Sequence, residues 1–337
     1  MTTTSAEVAP RRRPAAGEVP ASISPNPVAI KTILVPLDFS RASMQSVSYA
    51  VSLAKKFSAA IHLVYVEAPD EACSVAGAGQ VMRQCAESVA ALHERLAGVQ
   101  QKHLRAFWPE NSHVRSGRPY QEICALAREI PADLIVLATR GHTGLKRVLL
   151  GSTTERVVRF APCPVLIVRQ RKRKGRDFSV DLVTSNEELT LRKILVPVDF
   201  SECGMTGAMY AALLAKTFDA KLHLFHAVRP PVPVILDRVT ANMSGQDKVS
   251  LANAREEMEA FSKLDFLCDV KFETEIRTGH AVDEICAAAN GPAIDLLVTS
   301  THGRTGLNHA LLGSVAEQVV RYAEAPVMVV PSRCATS

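Results

Sequence analysis

Two stretches of this sequence have the make-up of a phosphate-binding loop. The first reads Ala138-Thr139-Arg140-Gly141 and, after nine intervening residues, Gly151-Ser152. The second reads Ser300-Thr301-His302-Gly303 and, after nine intervening residues, Gly313-Ser314. Glycines that follow a strand let the backbone approach a phosphate closely. A helix opening at Gly-Ser would then turn free N–H groups and the positive end of its dipole toward the anion. Each such exposed helix-end contact is worth only about 0.3–1 kcal/mol, so a useful site must gather several. The bland alternative is that the glycines make tight turns and pack a helix on a sheet. Neither loop continues into Gly-Lys-Ser/Thr, and no first strand runs into Gly-x-Gly-x-x-Gly, which disfavours a P-loop and a dinucleotide cofactor. Ser152 and Ser314 lie outside Gly-x-Ser-x-Gly, so helix capping or phosphate contact suits them better than nucleophilic attack.

The elements that must hold these loops also occur twice. Lys31-Thr-Ile-Leu-Val-Pro-Leu-Asp38-Phe-Ser40 returns as Arg192-Lys-Ile-Leu-Val-Pro-Val-Asp199-Phe-Ser201. Residues 134–168 align without a gap to 296–330, with 19 of 35 positions identical. Such a repeat marks a duplicated domain. The boundaries fall at 31–170 and 192–332, after a tail over 1–30 expected to be disordered and around a basic, polar linker over 171–191. Short β-branched runs read as buried strands: 32–35, 61–66, 112–115, 134–139 and 165–168, then 193–196, 221–228, 271–277, 295–300 and 327–330. Helical spacing follows Ser40, a plausible N-cap, and recurs near 80–105, 120–130 and 152–160. The segment 243–258 reads as a helical flap over the sheet. Alternating strands and helices predict an α/β fold of two tandem, doubly wound, five-stranded, mostly parallel, Rossmann-like sheets in the order 3-2-1-4-5. Ligands bind such sheets where the winding reverses, here between strands 1 and 4. That point gathers Asp38 with the first loop and Asp199 with the second.

Composition narrows the function classes. The chain has 337 residues, 47% of them hydrophobic and 22% charged, enough for about two soluble domains. Aromatics make up 5%, too few for the stacking platforms of single-strand nucleic-acid binding. The net charge of +5 is concentrated: six of the eight residues from Arg169 to Arg176 are basic. Without a recognised DNA- or RNA-binding motif, that run reads as a solvated linker. The eight cysteines form no Cys-x-x-Cys pair, which speaks against zinc and for a reducing compartment. No apolar stretch is long enough to cross a membrane and no secretory signal opens the chain, so the expected location is the cytoplasm. His62 and His223 repeat inside strand 2 and read as packed strand residues rather than metal ligands. His226 stands where the first half has Tyr65, which argues against a duplicated catalytic role. Cys124 and Cys286, beside Ile123 and Ile285, read as core.

Taken in order and seen twice, the Val-Pro-x-Asp-Phe-Ser opening, the Gly-x9-Gly-Ser loop and the Ala-Pro/Pro-Val ending resemble the universal stress protein family in its tandem form. The resemblance covers nearly everything outside 1–30 and 171–191. ATP-binding members carry Gly-x2-Gly-x9-Gly-Ser/Thr. Here Gly141, Gly151 and Ser152, then Gly303, Gly313 and Ser314, match, while Ala138 and Ser300 replace the first glycine. The resemblance implies ATP as ligand, with Mg2+ as a companion. Asp38 and Asp199 would face the ribose or its metal, the backbones of Val66 and Ala227 would lie near adenine, and Thr139, Arg140, Thr301 and His302 would line the phosphates. The implied set also takes in Pro36, Leu37, Thr153, Pro197, Val198 and Val315. No general base or arginine-rich transfer site is evident, so a nucleotide-responsive stress regulator with an unidentified protein partner is expected rather than an enzyme. The alternative is an interaction scaffold that keeps the fold without the nucleotide. A transferase or hydrolase is disfavoured by the lack of Ser-Gly-Gly-x-Asp-Ser and of paired acids. The resemblance further implies pairing of the final strands, here within one chain as a pseudo-dimer, with a homodimer also open.

Overall fold

The computed structural model describes residues 29–68, 90–99, 101, 111–138, 150–169, 172–173, 176–177, 189–229, 243–291, 293–302 and 312–331. The tail over 1–28, most of the linker, and Thr139, Arg140, Gly141 and Gly303 lie outside the described residues. The first half runs β1 (Thr32–Leu37), α1 (Arg41–Phe57), β2 (Ala60–Glu67), a helical stretch α2 (90–99), β3 (Ser112–Ser116), α3 (Pro119–Glu129), β4 (Leu134–Ala138), α4 (Ser152–Phe160) and β5 (Val165–Val168). Two short strands in the linker, β6 (Lys172–Arg173) and β7 (Arg176–Asp177), pair antiparallel. The second half runs β8 (Lys193–Pro197), α5 (Glu202–Phe218), β9 (Lys221–Val228), α6 (Met243–Ser262), β10 (Phe272–Thr278), α7 (Ala281–Ala289), β11 (Leu296–Ser300), α8 (Ser314–Tyr322) and β12 (Val327–Val330).

Each half forms a doubly wound sheet of five strands, and the two join edge to edge in one ten-stranded sheet, β10-β9-β8-β11-β12-β5-β4-β1-β2-β3. Each half keeps the order 3-2-1-4-5, and every neighbouring pair is parallel except β5 with β12, which join antiparallel through Val327 opposite Ile167, Met328 opposite Leu166 and Val329 opposite Val165. The cause lies in these two strands: all eight residues are apolar and buried, and an uncharged apolar edge left open would template aggregation. Each covers the other.

The halves also share a core. One buried cluster takes in Ile33, Val35 and Leu53 of the first half, Ile194, Val196 and Leu214 of the second, and Leu189 and Leu191 from the end of the linker. The Leu189 N–H donates to Ser52 Oγ on α1 at 3.3 Å. Arg169, just past β5, donates its guanidinium to the carbonyls of Val320 and Arg321. Those carbonyls end α8 and have no partner inside the helix, so a cation from the opposite half caps them. Helix α6 buries Ala254, Met258 and Phe261, so it is part of the core rather than a flap over it.

A duplicated clamp closes the far end of each sheet half. Asp133 Oδ2 accepts the N–H groups of Lys31 (2.8 Å) and Thr32 (2.9 Å), and Asp295 Oδ2 those of Arg192 (2.8 Å) and Lys193 (3.1 Å). Asp133→Ala or Asp295→Ala strips two backbone donors of their partner. Each change is expected to lower stability by about 1–2 kcal/mol, read as an earlier midpoint of urea unfolding.

Candidate functional site

The crevice begins where a strand ladder stops. β1 pairs with β4 through Ile33 opposite Leu134 and Leu34 opposite Ile135, whereas its pairing with β2 runs on to Leu37 opposite Tyr65. The Thr32 carbonyl accepts the Asp133 N–H on the β4 side at 2.9 Å. In a parallel sheet, successive residues address alternate neighbours, so Pro36 faces β4. Proline has no N–H to give, and the two strands part at that level. The second half repeats this. Asp295 N–H reaches the Lys193 carbonyl at 3.0 Å, β8 meets β11 only through Ile194 and Leu195, and Pro197 stands at the split. Prolines therefore open the sheet at both topological switch points, where ligand sites of such folds occur.

Asp38 and Asp199 follow these prolines at the rim. Next to each, a phenylalanine takes a left-handed backbone, φ 57° at Phe39 and 60° at Phe200, which is unusual for a bulky side chain. Each ring is held in place. Phe39 stacks on Tyr65 with centroids 5.3 Å apart, and the Arg95 guanidinium lies 4.0 Å over it. Phe200 packs on His226 at 4.6 Å and edge-on to Phe261 at 6.0 Å, while His226 Nδ1 donates to the Val198 carbonyl at 2.7 Å. The turn brings Ser40 N–H to Asp38 Oδ1 at 2.9 Å, and Ser40 Oγ caps α1 by accepting the Ser43 N–H. In the second half Asp199 Oδ1 takes both the N–H (3.1 Å) and the hydroxyl (2.6 Å) of Ser201. That carboxylate sits over Gly204, where an added Cβ would come within 2.5 Å of Oδ1. The first half carries Ser43 at that place. Two aspartates of the same motif are thus held differently.

The opposite wall is the start of α4 or α8. Thr154 on α4 donates its hydroxyl to the Ala138 carbonyl at 2.9 Å, tying the helix to the end of β4. In the second half Gly313 N–H donates to the Thr301 carbonyl at 2.8 Å, and Thr301 N–H to the Val330 carbonyl at 2.9 Å. Ser300 Oγ donates to the His302 carbonyl at 2.9 Å, and Thr301 Oγ1 lies 3.0 Å from His302 Nδ1. Gly151 and Gly313 are the N-caps, with no side-chain cap hydrogen bond at either helix. Ser152 and Ser314 are therefore the first helical residues and not the caps. Both are exposed, with Thr153 and Val315 half-buried behind them.

Other expected residues take narrower parts. Leu37 and Val198 turn their side chains into the core, so only their backbones face the crevice. Val66 and Ala227 pack their side chains against the cluster under α3 and α7. Cys124 is buried, its thiol pushed up to about 11 chiefly by that burial, and burial raises Cys286 as well. Thiols held protonated at neutral pH are inert. Among the described residues no three His, Cys, Asp or Glu side chains gather as a metal site, and no helix is long and apolar enough to cross a membrane. Sequence reasoning missed the strained Phe39 and Phe200, the Thr154 tie and the Ser43/Gly204 difference. Aligning the two halves could have exposed the last.

Fold and site together define a class: a duplicated, doubly wound α/β protein whose sheet splits at each switch point, with a carboxylate turn after the first strand of each half and a helix N-terminus after the loop that follows the fourth. The chain belongs to the universal stress protein family, which it matches over residues 29–169 and again over 190–331. A universal stress protein of Methanocaldococcus jannaschii is 34% identical over 148 residues, 43% of this chain and 85% of that protein. Universal stress protein YxiE of Bacillus subtilis is 31% identical over 144 residues, 41% of this chain and 97% of its own. The crystal structure of a universal stress protein from Archaeoglobus fulgidus covers 89% of this chain and 98% of its own, with a TM-score of 0.59 at 20% identity. That likeness is one of fold.

Proposed function

We propose that the protein is a nucleotide-responsive stress regulator whose two crevices each take an adenine nucleotide, ATP with Mg2+. The observation that carries this reading is the pair of helices whose N-termini lack side-chain caps and are tied to the strand ends beside the split that Pro36 and Pro197 open. An uncapped first turn offers backbone N–H groups and a positive dipole end to an anion. Asp38 and Asp199 stand on the opposite rim, suited to hydroxyls of the sugar or to the companion cation. Thr139, Arg140, Gly141 and Gly303 complete the phosphate loops in this reading. In this reading the bound nucleotide serves regulation rather than turnover.

Isothermal titration of the full chain with ATP and Mg2+ tests it. Saturable heat with up to two sites per chain is expected, together with a melting temperature that rises with ATP. No heat and an unchanged melting temperature would overturn the proposal. A second reading, a scaffold of the same fold without nucleotide, draws on Ala138 and on Ser300, whose hydroxyl is spent on the His302 carbonyl where the ATP-binding pattern has glycine. Equal capture of a protein partner with and without ATP, alongside absent binding heat, would favour it.

A further inference from the structure

We infer that the outer edge of the first half is held by an acid-released latch, the His62–His113 imidazole pair, and that carboxylates at the same place keep the second edge shut. β3 and β10 are the two terminal strands of the sheet. His62 on β2 and His113 on β3 meet Nδ1 to Nε2 at 3.1 Å, with rings 12° from parallel. Such a bond needs one ring to donate and the other to accept, so at least one imidazole must be neutral. When both carry a proton, neither can accept and two like charges face each other.

The surroundings do little to help. Arg115, on the same strand as His113, adds a third positive charge, and Glu129 of α3, the opposing carboxylate, is already bonded to Arg115. β1 presents Thr32 where the second half has Lys193. Burial first, then the neighbouring His113, holds His62 below its ordinary value. Burial and Arg115 do the same for His113, against the pull of Glu129. Groups with lowered values bind fewer protons folded than unfolded. The stability they lend is whole above about pH 6.5 and is lost as the pH falls below it.

The register puts Glu275 of β10 where β3 has His113: His113 lies opposite Val64, and Glu275 opposite Phe225. There His223 Nε2 meets Glu275 Oε2 at 2.7 Å, and Nδ1 lies 3.6 Å from Glu273 Oε1. Glu273 is itself pushed down to about 2 by its bonds to Lys193 and Lys221, and Glu275 also holds Arg277, which lies 3.7 Å from Glu284 of α7. Burial, then Lys193, lowers His223 too, with both carboxylates pulling the other way. Acid therefore weakens both edges. In the second, however, the added proton meets a carboxylate and the contact survives as an ion pair. Val66 lies opposite Arg115 on β3, so release of that strand reaches the rim of the first crevice and not the second.

Hydrogen exchange of the full chain, read by mass spectrometry at about pH 7.5 and pH 5 and corrected for intrinsic rates, tests the inference without any ligand. Protection of residues 112–116 is expected to fall about tenfold more than that of 272–278 on acidification. His113→Glu, which copies the second half, should remove the excess. Glu275→His should confer it on β10. Equal loss at the two edges, or an excess that persists in His113→Glu, overturns the inference. Should His113→Glu fail to fold, a Glu275→His protein whose β10 keeps its protection at pH 5 overturns it equally.

Discussion

Ile167→Asp is expected to destroy the cooperative unfolding of the joined protein. Ile167 lies on β5 opposite Val327 of β12, has no exposed surface, and packs among Val157, Val158, Val319 and Val320 from the helices of both halves. A carboxylate there loses the aliphatic packing and enters an apolar layer with no partner. Removal of a buried aliphatic chain alone costs about 2–5 kcal/mol, and an unpaired buried polar group adds about 1–3 kcal/mol. Against a domain stability of about 5–15 kcal/mol, that is enough to part the halves or unfold them. Ile167→Val, by contrast, should cost about 0.5–1.5 kcal/mol, and Phe160→Asp, at 42% exposure, rather less. Urea unfolding read by circular dichroism separates the three. An Ile167→Asp protein with a wild-type midpoint would mean that the strand junction contributes nothing to holding the halves together.

The junction also shows where sequence reading reaches its limit. The four-residue runs 165–168 and 327–330 are legible as buried strands with correct bounds because they are wholly apolar and follow a proline. Their meeting in one sheet is a contact between residues some 160 positions apart, which no local pattern encodes, although the family resemblance points to it. The same holds for the His62–His113 pair and for the Asp133 and Asp295 clamps, which arise from strand register. β1 continues through Pro36 to Leu37, beyond the expected end at Val35, because proline withholds only the hydrogen bond toward β4 and its β2 side stays paired. Phe39 and Phe200 adopt a backbone that glycine or asparagine would have signalled, and the aromatic packing that holds them comes from β2, β9 and α6. Ser152 and Ser314 read as cap candidates because the motif ends in Gly-Ser. The helices instead start one residue earlier, at a glycine cap with no side chain to compete for the first N–H groups.

Gly313→Val is expected to weaken nucleotide binding at the second crevice strongly while leaving the first intact. Gly313 has φ −58° and ψ 143°, a conformation open to any residue, so backbone strain is not the reason. Space is. An added Cβ would lie 3.0 Å from the Thr301 carbonyl oxygen, the atom that already accepts the Gly313 N–H at 2.8 Å. The branched chain must push the start of α8 away from the end of β11, turning its first N–H groups off the crevice. Each helix-end N–H is worth about 0.3–1 kcal/mol to a bound anion, and several would be turned away together. The penalty amounts to about 1–3 kcal/mol, or roughly 5- to 150-fold in affinity. Gly313→Ala, whose Cβ alone meets the carbonyl, should weaken binding less and in the same way. Titration calorimetry with ATP and Mg2+ should then show one of the two sites per chain weakened by that factor in Gly313→Val, with a melting temperature near that of the parent in the absence of nucleotide. Two undiminished sites in that variant would show that the helix N-terminus does not hold the phosphates, and the nucleotide reading of the second crevice would lose its physical basis.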